Sequence, residues 1–144
     1  MALEVHVVTP EREVWTGPAQ TVIARGVDGE VGILAGHAPL MVQLAIGPLR
    51  ILREDHGDVA AVIDGGFMHV TSSPSGEEGG GTRVDVLAAH AELAGDIDLE
   101  AARARASALE EELAQNHDTH LAEADIAAAR AELRKALARI ELVG

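Results

Sequence analysis

Cysteine and tyrosine are absent, phenylalanine and tryptophan occur once each, and lysine occurs once, at Lys135. No disulfide frame, thiolate nucleophile or cysteine-based metal site is therefore available. Basic residues are scarce: 11 Lys and Arg stand against 24 Asp and Glu, a formal charge of −13. Such a chain repels phosphate backbones, and Trp15 and Phe67 alone make no stacking platform, so nucleic-acid binding is excluded. Long hydrophobic runs are missing too. The least polar stretch, 34–49, is interrupted by His37, Pro39, Gln43, Gly47 and Pro48, short of the roughly 20 apolar residues that a spanning helix needs. The opening residues, with Glu4 and His6, alternate like a strand and leave no room for a basic targeting segment. A chain that stays where it is made and crosses no membrane is the expectation.

What is present is aliphatic. In 144 residues, 47% are apolar, enough to offset chain entropy in one domain with an appendage. Two compositions divide the chain. From Leu3 to Val86, period-2 runs such as Leu3, Val5, Val7 and Val84, Val86 lie between Gly, Pro and Asp breaks, the rhythm of about eight to ten short strands in a sandwich or flattened barrel. Breaks are expected at Thr16-Gly17-Pro18, Val27-Asp28-Gly29, Gly47-Pro48, Asp55-His56-Gly57-Asp58 and Gly65-Gly66-Phe67. The stretch 72–81 has no apolar residue and reads as a flexible extension.

After Leu87 the sequence turns to Ala, Leu, Glu and Arg. Asp98 is a plausible N-cap, after which Leu99, Ala102, Ala106, Leu109 and Leu113 recur at helical spacing. Asn116-His117-Asp118-Thr119 interrupts the pattern, and a second helix places Ile126, Leu133, Leu137 and Ile140 on one stripe. The expected fold is α+β: a β-sandwich over 1–87 and an antiparallel two-helix hairpin over 88–144. The two parts carry similar negative charge, so neither is a basic arm for the other. A thin Ala/Leu seam removes little area from water, about 25 cal/mol per Å², so the hairpin is able to detach while its helices persist. A permanently docked, stabilising hairpin is the simpler alternative.

No catalytic constellation emerges. Lys135 follows no glycine-rich turn, and no G-x-S-x-G occurs. Gly79-Gly80-Gly81 follows two glutamates and opens no helix, so it reads as linker. Among seven histidines only His117 and His120, around Asp118, have metal-like spacing, and the same residues suit a solvated turn. His6 and His69 fall in strands. Glu110, Glu111 and Glu112 form a solvated helix face. No enzyme, metal or cofactor is expected from these patterns.

The segment Gly26 to Leu40 is the most unusual, with glycines at 26, 29, 32 and 36 before Pro39. It forces tight turns and displays Glu30 and His37, either as structural corners or as a binding edge. The run Asp28-Gly29-Glu30-Val31-Gly32-Ile33-Leu34-Ala35-Gly36-His37-Ala38-Pro39-Leu40 is similar to the signature of the epsilon subunit of F-type ATP synthases. The likeness extends to Gly47-Pro48-Leu49-Arg50-Ile51, Gly65-Gly66-Phe67, Arg83 to Ala88 and the alanine-rich hairpin. It departs from the family in the longer 72–81 loop.

The resemblance implies a noncatalytic rotor subunit joining the gamma subunit to the c-ring, peripheral on the cytoplasmic face of the membrane. It implies a c-ring contact at Glu30, Gly36, His37 and Ala38. It implies a hairpin that is compact or extends into the catalytic alpha/beta hexamer and inhibits ATP hydrolysis. Some members bind regulatory ATP through Ile/Leu-Asp-x-x-Arg-Ala, where this chain has Ile97-Asp98-Leu99-Glu100-Ala101-Ala102. The shifted register Leu99-Glu100-Ala101-Ala102-Arg103-Ala104 restores Arg-Ala and replaces Asp with Glu. Glu92, Ile97, Asp98 and Arg103 are the positions such a ligand would use. A freestanding small-molecule or metal-binding sensor of the same architecture is the competing class.

Overall fold

The computed structural model describes residues 2–72, 81–115 and 122–144. Eight strands precede two helices: β1 (Leu3–Val8), β2 (Glu13–Ala19), β3 (Thr21–Gly26), β4 (Gly29–Leu34), β5 (Leu40–Leu52), β6 (Val59–Ser72), β7 (Thr82–Ala88), β8 (Ala91–Leu93), α1 (Leu99–Gln115) and α2 (Glu123–Val143). The hydrogen-bonded order is β2-β1-β7-β6-β5-β3-β4, with β8 on β6. Every pairing is antiparallel except β1 with β7.

One continuous ladder becomes two layers because β5 and β6 bend together. Leu44 pairs with Gly66 and Ile46 with Asp64, while Ala45 and Gly65 have no register partner. Gly65 and Gly66 take φ of 68° and 118°, the region that glycine reaches without strain. A Cβ on Gly66 would also lie 2.9 Å from Ala88 Cα. Beyond the bend, the second half of β6 pairs with β7 and its first half with β8. The layers bury Leu3, Val5, Val7, Val84 and Val86 against Val22, Ile33, Leu49, Ile51 and Ile63, each aliphatic side chain contributing about 1.5–3 kcal/mol.

Three sequence breaks are not turns: Gly47-Pro48 lies inside β5, Gly65-Gly66 inside β6 and Thr16-Gly17-Pro18 inside β2. Val27-Asp28 and the stretch between β5 and β6 are loops as expected. Sheet pairing continues to Leu93, past the change in composition after Leu87. The core of the 72–81 extension and the Asn116 to His120 segment lie outside the described residues.

The hairpin packs through α2, which touches α1 on one side and β5 and β6 on the other. Its buried residues are Ala136 and Ala138, and α1 buries Ala102, Ala106 and Leu109. Leu137, expected on the buried stripe, is 44% exposed. A helix wedged between a second helix and a sheet approaches both closely, so small side chains occupy the contact lines and the bulky one turns outward.

Candidate functional site

Three regions carry exposed or charged groups that the core does not require. The first is the outer face of β5, β6, β7 and β1. Cross-strand register lines up Gln43, Phe67, Leu87 and Val8 in one row, and Met41, His69, Asp85, His6 and Thr16 in the next. Alternation with the buried Met68 and Val86 sends Phe67 and Leu87 to solvent, where they are 47% and 52% exposed, with Met41 at 61%. Apolar side chains grouped in this way mark a contact surface. Around them the polar groups are satisfied locally. The His6 ring lies 3.0 Å from both Glu4 Oε1 and Thr16 Oγ1, and Arg83 donates to both oxygens of Asp85; these hydrogen bonds first, and the charge of Asp85 second, push the guanidinium pKa further up.

The second region is the segment around β4. Glu30 sits at the β3–β4 turn, opposite Arg25, beside exposed Val27 and Met41 in a shallow groove of ≈ 370 Å³. Gly36, His37 and Ala38 follow the other end of the strand. There Gly36, at φ 86°, donates its N–H to Thr82 Oγ1 at 2.7 Å, and His37 donates its N–H to the Leu34 carbonyl. Roughly 13 Å of β4 separates Glu30 from this turn at about 3.3 Å per residue, so the four residues do not form one loop. Within the glycine-rich run Gly36 is a corner, and Glu30 is exposed on β4, the strand at one end of the sheet order.

The third region joins the hairpin to the sandwich. Asp98 Oδ1 accepts the Ala101 N–H at 3.0 Å, capping α1. Glu92 on β8 is engaged by Arg139 of α2, Nε to Oε1, at 2.7 Å. Ile97 is half-buried just before α1, and Arg103 is exposed along it. Of the four nucleotide-site candidates, two thus have their carboxylates occupied by protein partners. Lys135 bridges Asp64 of β6 at 2.9 Å and Glu132 of its own helix at 3.0 Å. Those hydrogen bonds, Asp64's first, push the Lys135 pKa up against the smaller cost of burial. Arg25 reaches Glu141 with both carboxylate oxygens accepting, at 3.0 and 3.2 Å.

Sequence reasoning missed Met41, Phe67 and Leu87 as a surface, and missed the cross-links from α2. Phe67 and Leu87 were findable, because strict alternation beside a buried neighbour assigns them to the wet face. The cross-links were not, since they join residues far apart in the chain. His117 and His120 lie outside the described residues, and among those described no group of three or more His, Asp or Glu is placed to hold a metal.

Comparison with known proteins bears on these regions together. Residues 2–94 match the family model described as the ATP synthase delta/epsilon chain, beta-sandwich domain. The ATP synthase epsilon chain of Thermobifida fusca is 44% identical over 138 residues, covering 94% of this chain and 93% of that one. That of Brevibacillus brevis is 43% identical over 115 residues, covering 80% of each. Among solved structures, a chain in the Euglena gracilis mitochondrial ATP synthase, described as OSCP, F1 and c-ring in one rotational state, superposes with TM-score 0.73 at 27% identity. The match covers 94% of this chain and 78% of that one.

Proposed function

This chain belongs to the ATP synthase epsilon-chain family, the epsilon subunits of the F-type enzyme's central stalk, and on that premise we propose how its three regions divide the work. The sandwich is a noncatalytic connector. Its outer face, with Met41, Phe67 and Leu87, seats the gamma subunit, and the Glu30 edge with Val27 meets the polar loops of the c-ring. There a carboxylate sets register through charge and hydrogen bonding more than through raw affinity. His37 and the Gly36 corner support the strand that presents this edge. The subunit then lies peripherally on the cytoplasmic side, held by protein partners.

The hairpin is the regulatory part. Docked, it covers the Pro48, Val62 and Glu92 side of the bend in β5 and β6, away from Phe67; released, it is free to extend toward the alpha/beta hexamer and oppose ATP hydrolysis. The observation that carries this reading is the quality of the dock. The fully buried side chains of α2 are two alanines, Ala136 and Ala138, shared between α1 and the sandwich; they bury little area, so release costs far less than unfolding either helix. A ligand or partner with a few kcal/mol of preference for one arrangement then sets the population. Regulatory ATP at Glu92, Ile97, Asp98 and Arg103 would have to displace Arg139 from Glu92, and Ala101 supplies no guanidinium for phosphate.

Hydrolysis by the assembled enzyme, carrying either the full chain or a chain ending after Asp96, tests the reading. That end point spares β8, whereas removal of everything after Leu87 would strip a strand from β6. Faster hydrolysis with the shortened chain supports a regulatory hairpin. Equal rates at equal assembly contradict it, and failure of the full chain to assemble contradicts the stalk role itself.

A further inference from the structure

Between Glu132 and Glu141, α2 carries alternating means of attachment. Ala136 and Ala138 are buried, Leu137 between them faces water, and the flanking Lys135, Arg139 and Glu141 each reach an oppositely charged group of the sandwich. The three sandwich partners, Asp64, Glu92 and Arg25, come from β6, β8 and β3. They therefore hold α2 at separate points across one face. The face also has Val62, 4% exposed yet outside the core between the layers; it pairs with Pro48 on one side and Glu92 on the other.

Two details set these pairs apart from ordinary surface pairs. The Lys135–Asp64 and Arg139–Glu92 side chains are each 20–28% exposed, so water screens them incompletely. Arg25 lies against Gly47, where a Cβ would stand 2.9 Å from Arg25 Cδ; the strand leaves a slot for that side chain on its way to Glu141.

We propose that Lys135–Asp64, Arg139–Glu92 and Arg25–Glu141 are an electrostatic latch that sets how much of the hairpin population is docked. This rests on the reading that the hairpin moves. The chemistry suits a releasable contact. Both parts of the chain are acidic, so general repulsion favours release, and the short pairs must outweigh it. Lys135 also keeps Glu132, three residues earlier on its own helix, as a partner when Asp64 is lost, so opening does not leave the lysine unpaired. The latch gives the dock a strength that aliphatic burial does not supply, while keeping it reversible.

The test uses the full chain. Because it has no cysteine, Glu11→Cys and Ala127→Cys place two fluorophores, one on the sandwich and one on α2, and energy transfer reads the docked fraction. Asp64→Asn, Lys135→Gln and the double variant are compared, with circular dichroism to verify that strands and helices persist. Each single change is expected to lower the docked-to-undocked ratio about fivefold, and the double by about the same factor. The shortfall from additivity should shrink as salt is raised from about 0.1 to about 1 M, where the screening length falls from roughly 10 to roughly 3 Å. Additive effects, or none, overturn the latch. Ala138→Glu, which puts a charge between Lys135 and Glu141 on the docking side of α2, serves as the control: a hairpin that stays docked even there overturns the moving-hairpin reading and the latch with it. Release by Ala138→Glu with no response to Lys135→Gln overturns the latch alone.

Discussion

Arg25 of β3 lies against Gly47 of β5 and ends in a two-pronged hydrogen bond to Glu141 near the end of α2. A glycine in the middle of a strand is usually a weakness. Here the missing Cβ is what lets an arginine from one strand reach a helix on the outer face. Gly47→Ala should push Arg25 aside and weaken docking by about 1 kcal/mol, seen as a lower docked fraction with little change in the melting of the sandwich. Unchanged docking would mean that Arg25 finds another route.

The exposed apolar row predicts a different kind of effect. Phe67→Ser and Leu87→Ser remove surface that the isolated chain leaves in water, so its stability should change by less than about 0.5 kcal/mol. Capture of purified gamma subunit should weaken at least tenfold, about 1.4 kcal/mol. Equal capture with both changes would move the gamma contact to another face.

Asp98 separates a structural from a ligand role. Its carboxylate caps α1 through the Ala101 N–H, so Asp98→Ala should cost about 1 kcal/mol of helix stability, measured by thermal circular dichroism without any nucleotide. Asp98→Asn, which keeps a capping oxygen, should recover most of that loss. A stability unaffected by alanine would deny the capping role.

Alkaline pH should open the dock. The Lys135 pKa is raised above 10.5 by Asp64 first and Glu132 second. A raised value in the docked state means that the contribution is complete below the ordinary lysine value and is lost as pH rises through the raised one. Docking should therefore stay level from neutrality to about pH 10 and fall above it, and Lys135→Gln should remove that step. The Arg139–Glu92 and Arg25–Glu141 pairs are separate attachments that do not involve Lys135, so the loss is partial.

The sequence and the structure agree where local pattern decides. The helical spacing from Leu99, the cap at Asp98 and the turn at Val27-Asp28 all follow from residues close in the chain, whereas the change in composition after Leu87 precedes the end of the sheet at Leu93. They part where the determinant is distant. Gly47-Pro48 and Gly65-Gly66 look like turns, yet each lies inside a long strand held by its neighbour, Gly47 and Pro48 opposite Ile63 and Val62, and Gly66 opposite Leu44. Leu137 looks like core because it continues the stripe of Ile126, Leu133 and Ile140. The helix contacts a neighbour on two sides, and closeness there selects Ala136 and Ala138. The ion pairs of α2 were not legible, since Arg25 and Glu141 lie at nearly opposite ends of the sequence. Glu30 and Gly36 were legible as an unusual segment, and only the strand between them shows that they serve different ends of it.

The most direct measurement is ATP hydrolysis by the assembled enzyme carrying Ala138→Glu. Ala138 is buried, three residues from both Lys135 and Glu141 on the side of α2 that reaches the sandwich, and glutamate is a good helix former, so this change expels the hairpin while leaving α2 intact. A released hairpin that inhibits must make hydrolysis slower than with the unaltered chain, the opposite of the acceleration expected when the hairpin is removed after Asp96. Hydrolysis equal to or faster than that of the unaltered enzyme, with assembly and helix content preserved, would contradict the account.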